Sequence, residues 1–231
     1  MTTLVIFAKA PQPGNVKTRL IPALGAEGAA ALARRMLSHT LRQALAAGVG
    51  PVELCMSPAP EDASWQGLDL PAGVVYTAQG EGDLGQRMAS AVARITRQQQ
   101  SVLLFGTDCP ALTATHLAEA AWQLTRHDAV LVPVADGGYI LIGLKAPCPE
   151  LFTHMPWSTS AVAAETRRRT AALGLCLWQG PMLHDIDEPA DLIHLQRIPS
   201  WAQDCPNGWQ DCPNAIRLAG ARICLKAMWW N

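Results

Sequence analysis

Short apolar runs alternate along the chain with longer segments whose apolar residues recur at helical spacing. The runs are typical of buried strands, and the longer segments are typical of helices with one buried face. This alternation predicts a mostly parallel β-sheet with helices on both faces, as one domain over residues 1–198. The predicted strands are 4–7, 51–56, 73–77, 101–106, 129–134, 139–144 and 175–178. Three predicted helices span 26–47, 84–97 and 188–196. Another follows the cap Thr113 and ends at residue 126, and another follows the cap Ser158 or Thr159 and ends at residue 173.

The pattern changes at Pro199. The last 33 residues contain four of the eight tryptophans, and the sequence QDCPN occurs twice, at 203–207 and 210–214. We predict an amphipathic helix over 215–230, with its cations toward one side, as a candidate contact with a membrane surface or a partner. The alternative is a docked or loosely ordered tail without a role in chemistry. Residues 199–231 are therefore assigned as a Cys-, Pro- and Trp-rich tail that could support oligomer or partner contacts. The cations are Arg217, Arg222 and Lys226.

Polar loops directly follow four of the predicted strands. In a parallel sheet these loops lie at one edge, where open α/β sheets bind ligands. The first loop is rich in cations and suits a phosphate-bearing ligand, because Lys and Arg make charge-assisted hydrogen bonds to phosphate. Solvated loop charges are the alternative. The side chains expected to converge are Lys17, Arg19, Asp108, Asp136, Asp185 and Asp187.

The carboxylates in this set predict a Mg²⁺ or Mn²⁺ site beside a diphosphate, since these ions take oxygen ligands and often only one or two from protein carboxylates. Each has an alternative explanation. Asp108 could cap the following helix, Asp136 could be a turn aspartate before two glycines, and Asp187 could begin a helix at Glu188-Pro189.

Composition narrows the functional classes. Apolar residues make up 49% of the chain and charged residues 16%, which indicates a globular protein. A net charge of −1 argues against a general nucleic-acid binder. The seven cysteines include no C-x-x-C pair, so neither a zinc site nor a disulfide framework is predicted. There is no leader-like N-terminus and no run of about 18 apolar residues, so we expect a cytoplasmic protein without a transmembrane segment.

Six motifs in order resemble an uncharacterised bacterial family known as glycosyltransferase-like, or radical-SAM/selenodomain-associated transferase 1. They are KAPQPGNVKTRL, GDLGQRM, GTDCPAL, ADGGYILIGL, MPWST and HDIDEPADL. This resemblance covers residues 3 to about 198. It implies an α/β fold of the GT-A type, a Rossmann-like three-layer α/β/α sandwich, as in nucleotide-diphospho-sugar transferases and, more distantly, guanylyltransferases.

The resemblance also implies residue roles. Asp108, within GTDCP, and Asp187 match metal-binding aspartates, although Glu188 stands where Thr is common. Asp136 and Tyr139 fall in the acceptor region as candidate catalytic residues. The implied nucleotide- and phosphate-binding residues are Lys9, Gly14, Lys17, Arg19, Gly82 and Asp83.

These implications predict a metal-dependent enzyme that binds a nucleotide-diphospho-sugar and transfers the sugar to an unknown acceptor. The alternatives are a nucleotidyltransferase that releases pyrophosphate and a non-catalytic scaffold that acts as a binding partner. Pro11 and Pro13 remove N–H donors from the loop in which nucleotidyltransferases of this fold wrap a triphosphate, which favours sugar transfer.

Overall fold

In the computed structural model, which describes residues 1–198, residue 201, and the backbone of 215–218 and 221–224, seven strands form one sheet. Their order is β3-β2-β1-β4-β6-β5-β7, and β6 alone runs antiparallel to its neighbours among these described strands. This order confirms the predicted mostly parallel sheet. The strands are β1 Thr2–Lys9, β2 Val52–Ser57, β3 Val74–Ala78, β4 Ser101–Phe105, β5 Ala129–Pro133, β6 Tyr139–Leu144 and β7 Leu177–Gln179.

Helices cover both faces of the sheet, which confirms the three-layer α/β/α sandwich. They are α1 Ile21–Ala47, α2 Leu84–Thr96, α3 Ala114–Gln123, α4 Val162–Ala172 and α5 Leu192–Leu195. Leu37 of α1 and Leu117 of α3 pack on one face of the sheet. Val92 of α2 and Ala163 of α4 pack on the other. No helix in the described part of the chain has the length and apolar character needed to cross a membrane.

A third apolar cluster joins the start of α1 to residues between 186 and 201. Leu20 and Leu32 pack there with Ile186, Leu192 and Trp201, all of them buried. Because Ile186 is in this cluster, the loop after β7 is held close to the loop after β1. The cluster therefore brings together segments that are far apart in the sequence.

Local signals account for several helix ends. Thr113 caps α3 as predicted, and its hydroxyl accepts a hydrogen bond from the His116 N–H. The predicted cap of α4 is wrong, because Ala161 precedes its first helical residue. The last predicted helix is shorter, since a 3₁₀ turn at Pro189–Asp191 comes before α5.

The helix predicted over 215–230 is wrong. Ala215–Leu218 and Ala221–Cys224 are instead two antiparallel strands, β8 and β9. Ile216 pairs with Ile223, and β-branched residues favour strands. The strands are separated by two residues, Ala219 and Gly220, a spacing common in hairpins. Lys226 lies outside the described residues.

Candidate functional site

Lys17 lies at the centre of the loops at the carboxyl edge of the sheet. Its Nζ is 2.5 Å from Oδ1 of Asp108 and 2.8 Å from Oδ1 of Asp187. Nζ also donates a hydrogen bond of 2.7 Å to the carbonyl of Ile186. Only 7% of the Lys17 side chain is exposed. Three loops predicted to converge are therefore joined through one ammonium group.

Backbone contacts fix the same arrangement. The N–H of Ile186 donates to the carbonyl of Asp108, with an N–O distance of 2.8 Å. Lys17 itself adopts the left-handed conformation, with φ of 48° and ψ of 41°, just before a 3₁₀ turn at Thr18–Leu20. Loop geometry and apolar burial of Ile186 together position the three charged side chains.

The electrostatic balance at this edge is negative. Burial lowers the pKa of Lys17, but Asp108 and Asp187 outweigh that effect, and the pKa is raised above its ordinary value. The pKa of Asp185 is raised to about 6, first by burial and then by the charges of Asp136 and Asp187. These carboxylates therefore exceed the positive charge that Lys17 supplies.

A cavity of about 570 Å³ lies against the ends of β1, β2 and β4, and we call it the cationic cavity. Arg19, mostly exposed, lies 3.7 Å from Oε1 of Glu188. Anions with several oxygen atoms fit such a lining, because each cation can donate hydrogen bonds to them. The charged lining residues are Lys9, Lys17, Arg19, Arg87, Asp108 and Asp187.

Backbone donors add to the cationic cavity. Among the described residues, the N–H groups of Val16, Lys17, Thr18 and Arg19 donate no hydrogen bond. All four residues line the cavity. Successive free N–H groups around a left-handed residue form a concave site for anions. Pro11 and Pro13 remove donors earlier in the loop, but the donors after Gly14 remain.

Two polar residues of the cationic cavity, Gln79 and Arg87, were not predicted from the sequence. The Gln79 amide donates to the carbonyls of Ala8 and Cys55 at the ends of β1 and β2. Its Oε1 accepts a hydrogen bond of 2.7 Å from Arg87. Gln79 therefore holds Arg87 at the wall of the cavity. The clue in the sequence was the position of Gln79, directly after a strand, and of Arg87, one turn into the next helix.

A second cavity, of about 410 Å³, adjoins the first, and we call it the acidic cavity. Phe7, Leu84, Asp108 and Asp187 line both cavities. Its charged residues are all aspartates, and its remaining walls are largely apolar. The residues that line the acidic cavity and not the cationic cavity include Met88, Phe105, Val134, Asp136, Tyr139, Trp157, Val162 and Asp185.

Asp136 and Tyr139 both line the acidic cavity. Asp136 is exposed, and its Oδ1 accepts a 2.7 Å hydrogen bond from the Gly138 N–H, so it is also the turn aspartate considered as the alternative. The Tyr139 hydroxyl is buried without a hydrogen-bond partner in the described structure. Burial raises the pKa of Tyr139 well above its ordinary value, so its phenol stays protonated and can act as a donor.

Three predicted nucleotide-binding residues line neither cavity. Gly14 and Gly82 have φ of 80° and 100°, values that favour glycine in these turns. Asp83 caps α2, where its carboxylate accepts from the Gln86 N–H and the Gln86 side chain accepts from the Asp83 N–H. Their predicted contacts with a nucleotide stay predictions.

The described residues include no group of three or more His, Cys, Asp or Glu that could hold a metal, so a divalent cation at Asp108 and Asp187 stays a prediction. Their two carboxylates already share one cation, the Lys17 ammonium. Mg²⁺ and Mn²⁺ commonly take one or two protein carboxylates and complete their shells with phosphate and water.

Residues 40–159 match a family model described as "Uncharacterized protein conserved in bacteria (DUF2064)". A comparison with curated proteins finds no match. Among solved structures, the chain is similar to a protein from Desulfovibrio desulfuricans G20 described as a "putative nucleotide-diphospho-sugar transferase". The two are 31% identical with a TM-score of 0.77, and the match covers 85% of this chain and 86% of that one.

Two further structures are similar in fold alone. CMP:2-keto-3-deoxy-manno-octonic acid synthetase, solved with CTP, is 13% identical with a TM-score of 0.54, covering 86% of this chain and 98% of that one. Rv0371C from Mycobacterium tuberculosis H37Rv, solved with manganese, is 15% identical with a TM-score of 0.52, covering 84% and 96%. The radical-SAM association stays a prediction.

Proposed function

The chain belongs to the DUF2064 family of uncharacterized proteins conserved in bacteria, and from this premise we propose that it is a nucleotide-diphospho-sugar transferase. The nucleotide and its diphosphate bind in the cationic cavity, and the sugar reaches the acidic cavity. The observation that carries the proposal is the junction of the two cavities at Asp108 and Asp187. The similarity to the Desulfovibrio desulfuricans protein supports the same class of substrate.

The cationic cavity supplies donors for a diphosphate. Lys9, Arg19 and Arg87 bring positive charge, and the free N–H groups of residues 16–19 add backbone donors. These groups bind the diphosphate most strongly when negative charge develops on it as the leaving group. Preorganised donors of this kind contribute several kcal/mol to catalysis. Their role in the reaction is therefore to bind the donor and to stabilise the leaving group.

Transfer takes place at the boundary of the cavities. The bond between the anomeric carbon and the diphosphate oxygen breaks, and its electron pair leaves with the nucleoside diphosphate. An acceptor hydroxyl forms the new bond to that carbon, and its proton passes to Asp136, the proposed base. The Tyr139 hydroxyl, which has no partner among the described residues, is available to orient the acceptor.

Asp108 and Asp187 are the residues that would hold Mg²⁺ or Mn²⁺. The ion would supply charge stabilisation for the leaving nucleoside diphosphate. Lys17 then acts as a positioning residue, since its ammonium keeps both carboxylates together before the ion arrives.

A panel of nucleotides and nucleotide sugars tests the proposal by thermal unfolding, with and without Mn²⁺. A ligand at 100 times its dissociation constant stabilises the fold by about 2.7 kcal/mol. We expect metal-dependent stabilisation by one nucleoside diphosphate and its sugar, and its loss in Asp108→Asn. Asp69→Asn, an exposed acid outside both cavities, is the matched control. Binding that is equal with and without Mn²⁺, or in Asp108→Asn, would contradict the metal assignment.

Nucleotidyl transfer is the second candidate, and the free N–H groups of residues 16–19 favour it because they could hold a triphosphate. In that reaction a nucleoside triphosphate is consumed and pyrophosphate is released. Stabilisation by a triphosphate only, followed by pyrophosphate release, would replace sugar transfer with this activity. A protein that binds no nucleotide at all would instead fit a non-catalytic scaffold.

A further inference from the structure

The two adjoining cavities carry opposite charge. The cationic cavity has Lys9, Lys17, Arg19 and Arg87 in its wall. None of the described residues that line the acidic cavity is Lys, Arg or His, and its wall contains four aspartates, Asp108, Asp136, Asp185 and Asp187. An anion entering the acidic cavity would meet repulsion from these carboxylates and no cationic partner.

Two of the four aspartates face the acidic cavity without a counter-ion. Lys17 contacts Asp108 and Asp187 from the cationic side. Asp136 and Asp185 form no ion pair with any described residue. Oδ1 of Asp136 accepts from the Gly138 N–H, and its second oxygen has no partner in the described structure. This pair of carboxylates can therefore receive a positive group.

The rest of the cavity suits a flat apolar body. Trp157 and Tyr139 meet edge to face, with ring centroids 6.4 Å apart and an interplanar angle of 70°. Both line the cavity, together with Met88, Phe105 and Val162. The Tyr139 hydroxyl is buried without a partner among the described residues, which is an independent sign that a polar group of a ligand binds here. Aromatic faces also attract cations.

We propose that the acidic cavity binds an acceptor with one protonated amine beside an apolar, aromatic-sized body, and that it rejects phosphorylated and carboxylate acceptors. Calling this ligand the acceptor rests on the proposed function. Asp185 pairs with the ammonium group and the charge of Asp136 attracts it from beside, Trp157 and Met88 contact the apolar body, and Tyr139 donates to an oxygen of the ligand. The ammonium is a recognition group, and the nucleophile is a separate hydroxyl.

Three probes of the same shape and different charge test this selection. They are 2-(4-fluorophenyl)ethylamine, 2-(4-fluorophenyl)ethanol and 4-fluorophenylacetate, each titrated into the full chain and followed by ¹⁹F NMR at pH 7.5. We expect the amine to bind at least about tenfold more tightly than the acetate, with the alcohol between them. The preference of the amine over the alcohol should weaken as salt increases, because added ions screen the charges of the carboxylates.

Variants show whether the cavity causes the selection. Asp136→Asn keeps an oxygen that can accept from Gly138, and together with Asp185→Asn it should abolish the preference for the amine. Asp69→Asn removes one carboxylate charge from an exposed site outside both cavities and should keep the preference, as the control for each single change. Trp157→Leu should weaken the binding of all three probes, and the binding of the amine most. Thermal unfolding of each variant confirms that it is folded.

The proposal is overturned if the acetate binds as tightly as the amine, or if the double variant still prefers the amine. It is also overturned if the amine does not bind at 10 mM, a concentration about tenfold above a millimolar dissociation constant. Nucleotide titrations on the same samples separate this result from the proposed function. Loss of nucleotide binding with amine selection intact would contradict only the transferase. Loss of amine selection with nucleotide binding intact would contradict only the acceptor class.

Discussion

Lys17 and Asp187 form an ion pair of 2.8 Å although they are 170 residues apart in the sequence. The pair exists because the loops after β1 and β7 reach the same edge of the sheet and Ile186 packs in the cluster of Leu20 and Leu32. The same ammonium also contacts Asp108. One lysine therefore controls the charge at the junction of the two cavities.

Removing that ammonium should destabilise the protein in a way that a metal ion can reverse. In Lys17→Met, the carboxylates of Asp108 and Asp187 are left side by side without their shared cation. We expect the free energy of unfolding to fall by about 1–3 kcal/mol. This loss is smaller than for a fully buried ion pair because both aspartates are partly exposed. Mn²⁺ should restore part of this loss. Denaturant unfolding with and without Mn²⁺ measures both the loss in the free energy of unfolding and its recovery.

Lys145→Met is the matched control for this change. Lys145 donates only to the Thr125 carbonyl at an exposed site, so its removal should have little effect on stability. If Mn²⁺ stabilises Lys17→Met no more than the unchanged protein, Asp108 and Asp187 do not form a shared cation site.

Arg87 should contribute to diphosphate binding. A hydrogen bond to a charged group contributes about 1.5–3 kcal/mol, so Arg87→Ala should weaken nucleoside diphosphate binding by about 10- to 100-fold while the fold stays intact. Isothermal titration calorimetry gives the dissociation constants. Arg97→Ala removes an exposed arginine just after α2, outside both cavities, and should bind as the unchanged protein does. Equal losses in the two variants would contradict a specific role for Arg87.

His39 should contribute stability that is lost as the pH drops below about 6.5, the ordinary pKa of histidine. The raised pKa of Asp185 acts in the opposite direction over part of this range, so the contribution of His39 is read from the difference between variants. Burial lowers the pKa of His39 in the folded state, with smaller contributions from Arg42 and Arg35, while the hydrogen bond from His39 to the Pro110 carbonyl opposes the shift. The unfolded chain therefore takes up the proton first. The stability is fully present above the unfolded pKa and is lost as the pH falls toward the folded pKa.

Denaturant unfolding at pH 7.5 and at pH 5.5 checks this dependence. One proton contributes a slope of at most about 1.4 kcal/mol per pH unit. His39→Gln keeps a donor for Pro110 and should reduce the loss at pH 5.5, whereas His127→Gln, a histidine elsewhere on the fold, is the control. A loss in His39→Gln as large as in the unchanged protein would assign the pH dependence to other groups.

Gly137 should tolerate no side chain, because its φ is 92° and an added Cβ would collide with the Ser160 carbonyl. Gly137→Ala should lower the free energy of unfolding by about 2–4 kcal/mol, since strain and collision add. Gly174 also has positive φ, of 68°, but nothing lies near an added Cβ. Gly174→Ala should therefore show the backbone strain alone, about 1 kcal/mol. Equal losses in thermal or denaturant unfolding would exclude the collision with Ser160.

Local patterns in the sequence were sufficient for most of the fold. The strand at 101–106 was recognisable because four large apolar residues stand between turn residues, and the structure has β4 there. Thr113 was recognisable as a cap because the interaction is with residues next to it in the chain. The tail was mispredicted, because the spacing of apolar residues over 215–230 did not distinguish a helix from the strands β8 and β9.

The site depended on contacts between distant segments. The sequence alone determined that cations follow β1 and that aspartates follow later strands, since the order of elements brings such loops to one edge of a parallel sheet. Only the tertiary structure decided that Lys17 is shared by Asp108 and Asp187, that Gln79 holds Arg87, and that the described cations line one cavity whereas the adjoining cavity has aspartates alone as its charged residues. The physical reason is that helix and strand periodicity are local, whereas charge pairing and cavity shape depend on how the layers pack.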